Sequence, residues 1–448
     1  MRKRGLLALT PILVFLGVYL VTSIIIKDFY KVPVASAFLL ASIYAVLISR
    51  EPLRERIGIF SEGAGDSKVL LMVWIFILAG AFAQTAKDIG AIEATVNLTL
   101  RVIPGSMLFA GLFFTACFIS MSVGTSVGTI VALVPIATGI AQETGFSEAF
   151  MAAIIVGGAF FGDNLSFISD TTIAATKAMD CAMKDKFKAN IRIVAPAVLV
   201  VFVIYVLKGL GVDVSVEPGA AEPLKLLPYL LVLGLALAGM DVLLILSIGT
   251  VVNLLIGLVT GCLGWSGWLS SIGEGISGMG SLIIVTLLAG GMMALIRAGG
   301  GLDWLVGALT RRLASPAAAP SFGAAPQPSS PVTRRQRRGA ELSIAALVSL
   351  ANLCTANNTI AIITVGGIAK DVSDRFGLDR RRVASILDTF SCFVQGIIPY
   401  GAQLLMASGL AGVGAAAIIR YLYYPFALGL VALTAIFIPA LFFRPRKH

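Results

Sequence analysis

Histidine is nearly missing from this chain. The one copy, His448, is the last of 448 residues, which leaves little for a histidine metal centre or an imidazole proton relay. Charge is scarce as well, with 13% Asp, Glu, Lys and Arg against 58% apolar residues and a mean hydropathy of +0.94. A soluble globular domain does not have that balance. No nucleotide-binding loop and no sizeable polar domain occur, so ATP-driven pumping has no residues to run on. A membrane hydrolase would lack its paired catalytic histidine, and an enzyme is not expected. The five cysteines, Cys117, Cys181, Cys262, Cys354 and Cys392, sit mostly in or beside apolar segments without metal-ligand spacing, and free thiols are expected. No cofactor is expected.

What is present is oil in long runs. Leu6–Ile26, Val32–Ser49, Val69–Ala86 and Ile193–Leu210 each reach the roughly 18 residues that a helix needs to cross about 30 Å of hydrocarbon. The runs are continuous rather than alternating, and backbone groups inside lipid must be bonded internally, so the spans are helices and not barrel strands. The fold class is all-α and polytopic. Met1-Arg2-Lys3-Arg4 before the first run reads as the start of a retained first helix. The net charge of +10 is confined to a few loops and tails without interleaved aromatics, so it marks topology and not a nucleic-acid partner. The expected partners are membrane lipids and small ions, with a homodimer left open.

The two halves are weakly alike. Thr125–Thr176 overlays Asn357–Ser408 without a gap, pairing Gly145 with Gly377 and Phe161 with Phe393, and Leu78-Ala79-Gly80 overlays Leu288-Ala289-Gly290. Basic residues at 1–4, 50–56, 177–192, 311–338, 370–382 and 444–447 belong on the cytoplasmic side, whereas 143–148, 211–224 and 263–280 are acidic or poor in charge and belong outside. Corresponding loops then fall on opposite faces, the relation of inverted repeats. The expected architecture is about ten transmembrane helices plus two re-entrant hairpins, with both termini in the cytoplasm of an inner-membrane protein. Residues 1–210 form the first repeat, with a hairpin at 104–143 and a broken helix at 149–176. Residues 225–448 form the second, with a hairpin at 341–371, a broken helix at 381–410 and a disordered cytoplasmic linker at 313–340.

Polar residues inside lipid are costly and mark function by default. The densest group is Gly162-Asp163-Asn164-Leu165-Ser166-Phe167-Ile168-Ser169-Asp170-Thr171-Thr172. An unbroken helix sets Asp163, Ser166 and Asp170 on one face, whereas a break frees carbonyls to point into the gap. Either way the segment offers carboxylate, hydroxyl and carbonyl oxygens in place of a small hard cation's hydration shell, and a carboxylate also takes a proton. Thr125 and Ser126 at one hairpin tip, and Asn357, Asn358 and Thr359 at the other, add ligating or capping groups. Asp388, Ser391 and Gln395 form a second polar stripe on an otherwise apolar helix, with Asp388 read as a further coupling carboxylate. Ile398-Pro399-Tyr400-Gly401-Ala402-Gln403 supplies a second break without acids, so the site should be asymmetric.

Gly124-Thr125-Ser126-Val127-Gly128-Thr129 with Pro135, Gly162-Asp163 with Ser169-Asp170-Thr171-Thr172, Thr355-Ala356-Asn357-Asn358-Thr359 and Ile398-Pro399-Tyr400-Gly401 together resemble the NhaC-type sodium/proton antiporter family over most of residues 70–410. The resemblance implies Na⁺/H⁺ exchange by alternating access, with Asp163, Ser166, Ser169, Asp170 and Thr172 at matching site positions; with Asp388 from the polar stripe, Na⁺ is expected on Asp163, Asp170 and Asp388. Related families move organic anions or amino acids, and coupled transport of such a solute is the alternative.

Overall fold

The structure is a computed structural model that describes residues 2–26, 33–166, 169–210, 222–301, 304 and 333–442. Among them the regular structure is helical throughout. The first half runs α1 (Arg2–Ile26), α2 (Val34–Ile48), α3 (Leu53–Ala64), α4 (Ser67–Asp88), α5 (Ala91–Val102), α6 (Leu108–Val123), α7 (Ser126–Thr144), α8 (Glu148–Leu165), α9 (Asp170–Ala178) and α10 (Met183–Gly209). The second runs α11 (Pro223–Leu237), α12 (Val242–Thr260), α13 (Trp265–Gly278), α14 (Gly280–Ala298), α15 (Arg334–Thr355), α16 (Asn358–Phe376), α17 (Arg380–Ile397), α18 (Ala402–Ala411), α19 (Ala415–Arg420), α20 (Tyr423–Phe437) and α21 (Pro439–Phe442). Eight segments of the described residues are long and apolar enough to cross a membrane, among them the broken pairs Glu148–Ala178 and Arg380–Ala411. Four shorter apolar helices, within α1, α2, α11 and α20, join them. This is a polytopic helical membrane protein.

From the hairpin tips to the breaks, helix boundaries recur in the second half at one offset. α8 and α17 have 18 residues each and stand as far apart in sequence as Thr125 and Asn357. Each hairpin turns through a left-handed residue, Gly124 at φ 75° and Ala356 at φ 49°, followed by an extended capping residue, Thr125 or Asn357. Both second arms end on a left-handed glycine, Gly145 and Gly377. Packing crosses between the halves: α7 lies on α18 and α16 on α9, while α4 lies on α13 and α14 on α3. The aligned Gly80 and Gly290 sit at the last two crossings. A Cβ on Gly80 would lie 2.3 Å from the Gly275 carbonyl oxygen, and one on Gly290 would lie 2.8 Å from that of Gly63. Small residues there let backbones touch.

Several expected loops are helices. The stretch 263–280 is mostly α13, whose 14 residues fall short of a span and escape a hydropathy window. Residues 50–56 run into α3, with basic and acidic residues on a helix too polar to be a span. The basic loop 177–192 shrinks to four residues, because α10 begins at Met183 with four charged residues in its first two turns. Arg334–Gly339, expected in a disordered linker, form the first turns of α15. Thr333 and Gln336 close a reciprocal capping box there, and arginine and glutamine are good helix formers. The hairpin therefore starts before 341. The rest of the expected linker, 313–332, lies outside the described residues.

Candidate ion site at two broken helices

α8 stops at Leu165 because Ser166 turns extended (φ −69°, ψ 144°), and α9 restarts with Ser169 as its N-cap. The last carbonyls of α8 are taken by side chains. The Asp163 carbonyl accepts from Ser169 Oγ (2.8 Å) and Thr171 Oγ1 (2.9 Å), and the Asn164 carbonyl from Lys186 Nζ (2.9 Å) and Asn190 Nδ2 (2.7 Å). α17 stops at Ile397 ahead of Pro399, which has no N–H with which to continue a helix, and α18 resumes after Gly401.

The Asp163 carboxylate meets the N-terminus of α7. Ser126 N donates to Oδ1 (3.1 Å) and Ser126 Oγ to Oδ2 (2.6 Å), so the acid sits at the positive end of the helix dipole. Gln403 Nε2 donates to the same hydroxyl (3.0 Å), and Gln395 Nε2 donates to Gln403 Oε1 (3.0 Å) and to the Ala356 carbonyl (3.0 Å). A chain of hydrogen bonds thus runs from Asp163 through the first hairpin tip to the second broken helix and on to the second tip. The partners of Asp163 among the described residues are neutral. Removing a carboxylate from water without a counter-charge is expensive, so Asp163 is the group that most needs a proton or a cation.

Asp388 is the opposite case. Lys186 reaches it from α10 with Nζ 2.5 Å from Oδ2, both side chains being almost fully buried (1% and 0% exposed). The same ammonium donates to Thr172 Oγ1 at 2.6 Å, and Asn190 Nδ2 donates to Asp388 Oδ2 at 2.9 Å. Cys392 Sγ stands 3.9 Å from Oδ1 and 3.8 Å from Asn358 Nδ2. Within this network, Asn164 Nδ2 and Asn190 Oδ1 are buried without a partner.

Of the residues singled out from sequence, Asp163, Asn164, Ser166, Ser169, Thr171, Thr172, Ser126, Asn358 and Asp388 are buried, and Thr125, Asn357 and Thr359 are half-buried at the hairpin tips. Asp170 is exposed in the first turn of α9. The break removes the single face that Asp163, Ser166 and Asp170 would have shared, whereas the Asp388, Ser391 and Gln395 stripe survives on an unbroken α17 and is buried. Lys186, Asn190 and Gln403 were not expected at the site. The sign was legible for two of them, because Lys186 and Asn190 begin the buried stripe of α10 that continues through Ile193, Ala197 and Val201.

A family model described as the Na⁺/H⁺ antiporter family matches residues 6–210 and 331–443, both broken-helix units included. The chain belongs to the Na⁺/H⁺ antiporter family. It is 22% identical over 477 residues, 96% of this chain and 95% of the relative, to the malate-2H⁺/Na⁺-lactate antiporter of Bacillus subtilis (strain 168). It is 26% identical over 161 residues, 36% of this chain and 34% of the relative, to the Na⁺/H⁺ antiporter NhaC of the same organism. Among solved structures, the YdaH transporter of Alcanivorax borkumensis overlays at a TM-score of 0.41 with 14% identity, covering 95% of this chain and 97% of that one. The protein is accordingly a polytopic membrane transporter of the antiporter type.

Proposed function

We propose that this antiporter exchanges Na⁺ for H⁺, with Asp163 as the carboxylate that the two ions share. The observation that carries the reading is the buried acid with neutral partners at the first break and hairpin tip, linked through Ser126 to the second broken helix. Neutralised by a proton or by Na⁺ it can be carried through a low-dielectric barrier; ionised and empty it cannot, which couples the two flows. Na⁺ is the cargo here, with the Asp163 carboxylate and the Ser126 hydroxyl as available oxygens. In this reading the halves are inverted and both termini are cytoplasmic. A cysteine at Gly145 then reacts with an impermeant reagent from outside and one at Gly377 from inside; labelling from one side would remove the inversion.

A second reading has one specific support. The relative that aligns with nearly the whole chain is named for malate and lactate, and an organic anion would need a positive group such as the buried Lys186. Proteoliposomes with an internal pH reporter separate the two. Proton flux driven by Na⁺ alone, with a half-saturating Na⁺ concentration that rises as pH falls, supports cation exchange. Flux that requires malate or lactate on one side supports the second reading and removes the first.

A further inference from the structure

The Lys186 ammonium stands where a bound metal cation would. Its three hydrogens are used on three oxygens from three different sources: the Asp388 carboxylate at 2.5 Å, the Thr172 hydroxyl at 2.6 Å and the Asn164 carbonyl freed at the end of α8 at 2.9 Å. That is the donor set of a small alkali-ion site, one charge with neutral hydroxyl and carbonyl oxygens around it. Asn190 commits its amide nitrogen to Asp388 Oδ2 and the Asn164 carbonyl, which leaves Oδ1 buried with no partner; turning the amide over would set oxygen against carboxylate.

We propose that Asp388, Thr172 and Asn164 form a second monovalent-cation site, held in place by the Asn190 amide, which the chain fills with its own lysine. A tethered ammonium competes at a high effective concentration and keeps dissolved Na⁺ out. It also neutralises Asp388 without any transported ion, so the second carboxylate imposes no ion requirement of its own on the carrier. Lysine suits this task because its ammonium is a compact point charge on a flexible stem, close to an alkali ion in charge and in preference for oxygen. The ligand class is a small hard monovalent cation, Na⁺ or a methylammonium ion.

The site is read from the Lys186 cage alone and does not depend on Asp163. The test compares purified wild type, Lys186→Met, which keeps the stem and drops the ammonium, and the double variant Lys186→Met/Asp388→Asn. Bound ²²Na⁺ is measured at saturation, and melting temperature is followed in NaCl and in choline chloride. The expected result is one more Na⁺ per chain in Lys186→Met than in wild type, a melting temperature that rises with NaCl and not with choline, and loss of both gains in the double variant. Lys186→Met/Asp163→Asn should keep the extra ion, which separates this site from any failure of the Asp163 reading. If Lys186→Met does not fold in either salt, Lys186→Ala, which leaves room for a hydrated ion or methylammonium, is read by the same two measures. Equal ²²Na⁺ binding with no Na⁺-specific stabilisation, in whichever of the two variants folds, overturns the proposal.

Discussion

The two hairpin and broken-helix units share a backbone and differ in chemistry. Ser120 Oγ donates to the Ala159 carbonyl at 2.6 Å, and at the same positions of the second unit Asn352 Nδ2 donates to the Ser391 carbonyl at 2.7 Å. The bond is kept while the residues around it change. Gly158 and Gly162 bring α8 so near α6 that a Cβ on Gly162 would lie 2.0 Å from Ser120 Oγ, whereas the second unit has Phe390 and Val394 there and reaches across with the longer asparagine. The acids are not duplicated at all. Asp163 corresponds to Gln395, Asp388 corresponds to Val156, and the hairpin-tip Ser126 corresponds to Asn358. Two similarly built units thus carry one uncompensated carboxylate and one lysine-paired carboxylate, each in a different half.

The largest stability effect should come from unbalancing the paired carboxylate. Lys186→Met or Asp388→Asn alone, in choline chloride, should cost about 3–5 kcal/mol by thermal unfolding in detergent, and the double variant much less, because only the singles strand a buried charge. Additive losses would mean that the pair is not an energetic unit. Next comes the helix crossing: Gly162→Leu should destabilise by at least about 1–3 kcal/mol by overpacking against Ser120, while Val394→Leu in the second unit should cost less. Equal costs would contradict the wider second crossing. Ser120→Ala and Asn352→Ala each remove one interhelical bond, about 1 kcal/mol apiece, with the asparagine costing more if the gap is wider.

The smallest effect belongs to the exposed ion pairs that join the units. Asp180, after α9, pairs with Lys370 of α16 and lies 3.7 Å from Arg380 of α17. The hydrogen bond and charge of Lys370 hold its carboxyl below the ordinary value of 3.8. A depressed folded pKa contributes stability above that ordinary value, and the contribution disappears as pH falls through the folded value. Asp180→Asn should therefore flatten the acid limb of the melting curve slightly, and high salt should do the same. An unchanged acid limb would show that the pair is not populated.

The class of fold was legible because hydrophobic length is a strong signal in lipid, and helix ends at Gly124, Asn357 and Pro399 are marked locally by residue type. Short helices were not legible: α13 and α3 are held by tertiary contact through Gly275 and Gly63, which no window of one sequence contains. In the site, Asp163 and Asp388 stood out as acids among apolar residues. Charge counting alone assigns Lys186, beside Lys184 and Lys188, to a cytoplasmic loop, and only its place on the apolar stripe of α10 marks it. Its partner Asp388 lies some two hundred residues away in the chain. The helical spacing of Asp170 to Asp163 lapses across the break, which leaves Asp170 exposed in the first turn of α9.

The central claim is that the unpaired Asp163 carries the exchange, and it is tested most directly by Na⁺-driven proton flux in proteoliposomes reconstituted with wild type, Asp163→Asn and Asp170→Asn. The amide keeps the Ser126 hydroxyl within reach but neither titrates nor balances a cation, so Asp163→Asn should fall to the flux of empty liposomes. Asp170→Asn, at an exposed position, should keep most of its rate. Exchange by Asp163→Asn with the Na⁺ dependence of the wild type would contradict the account.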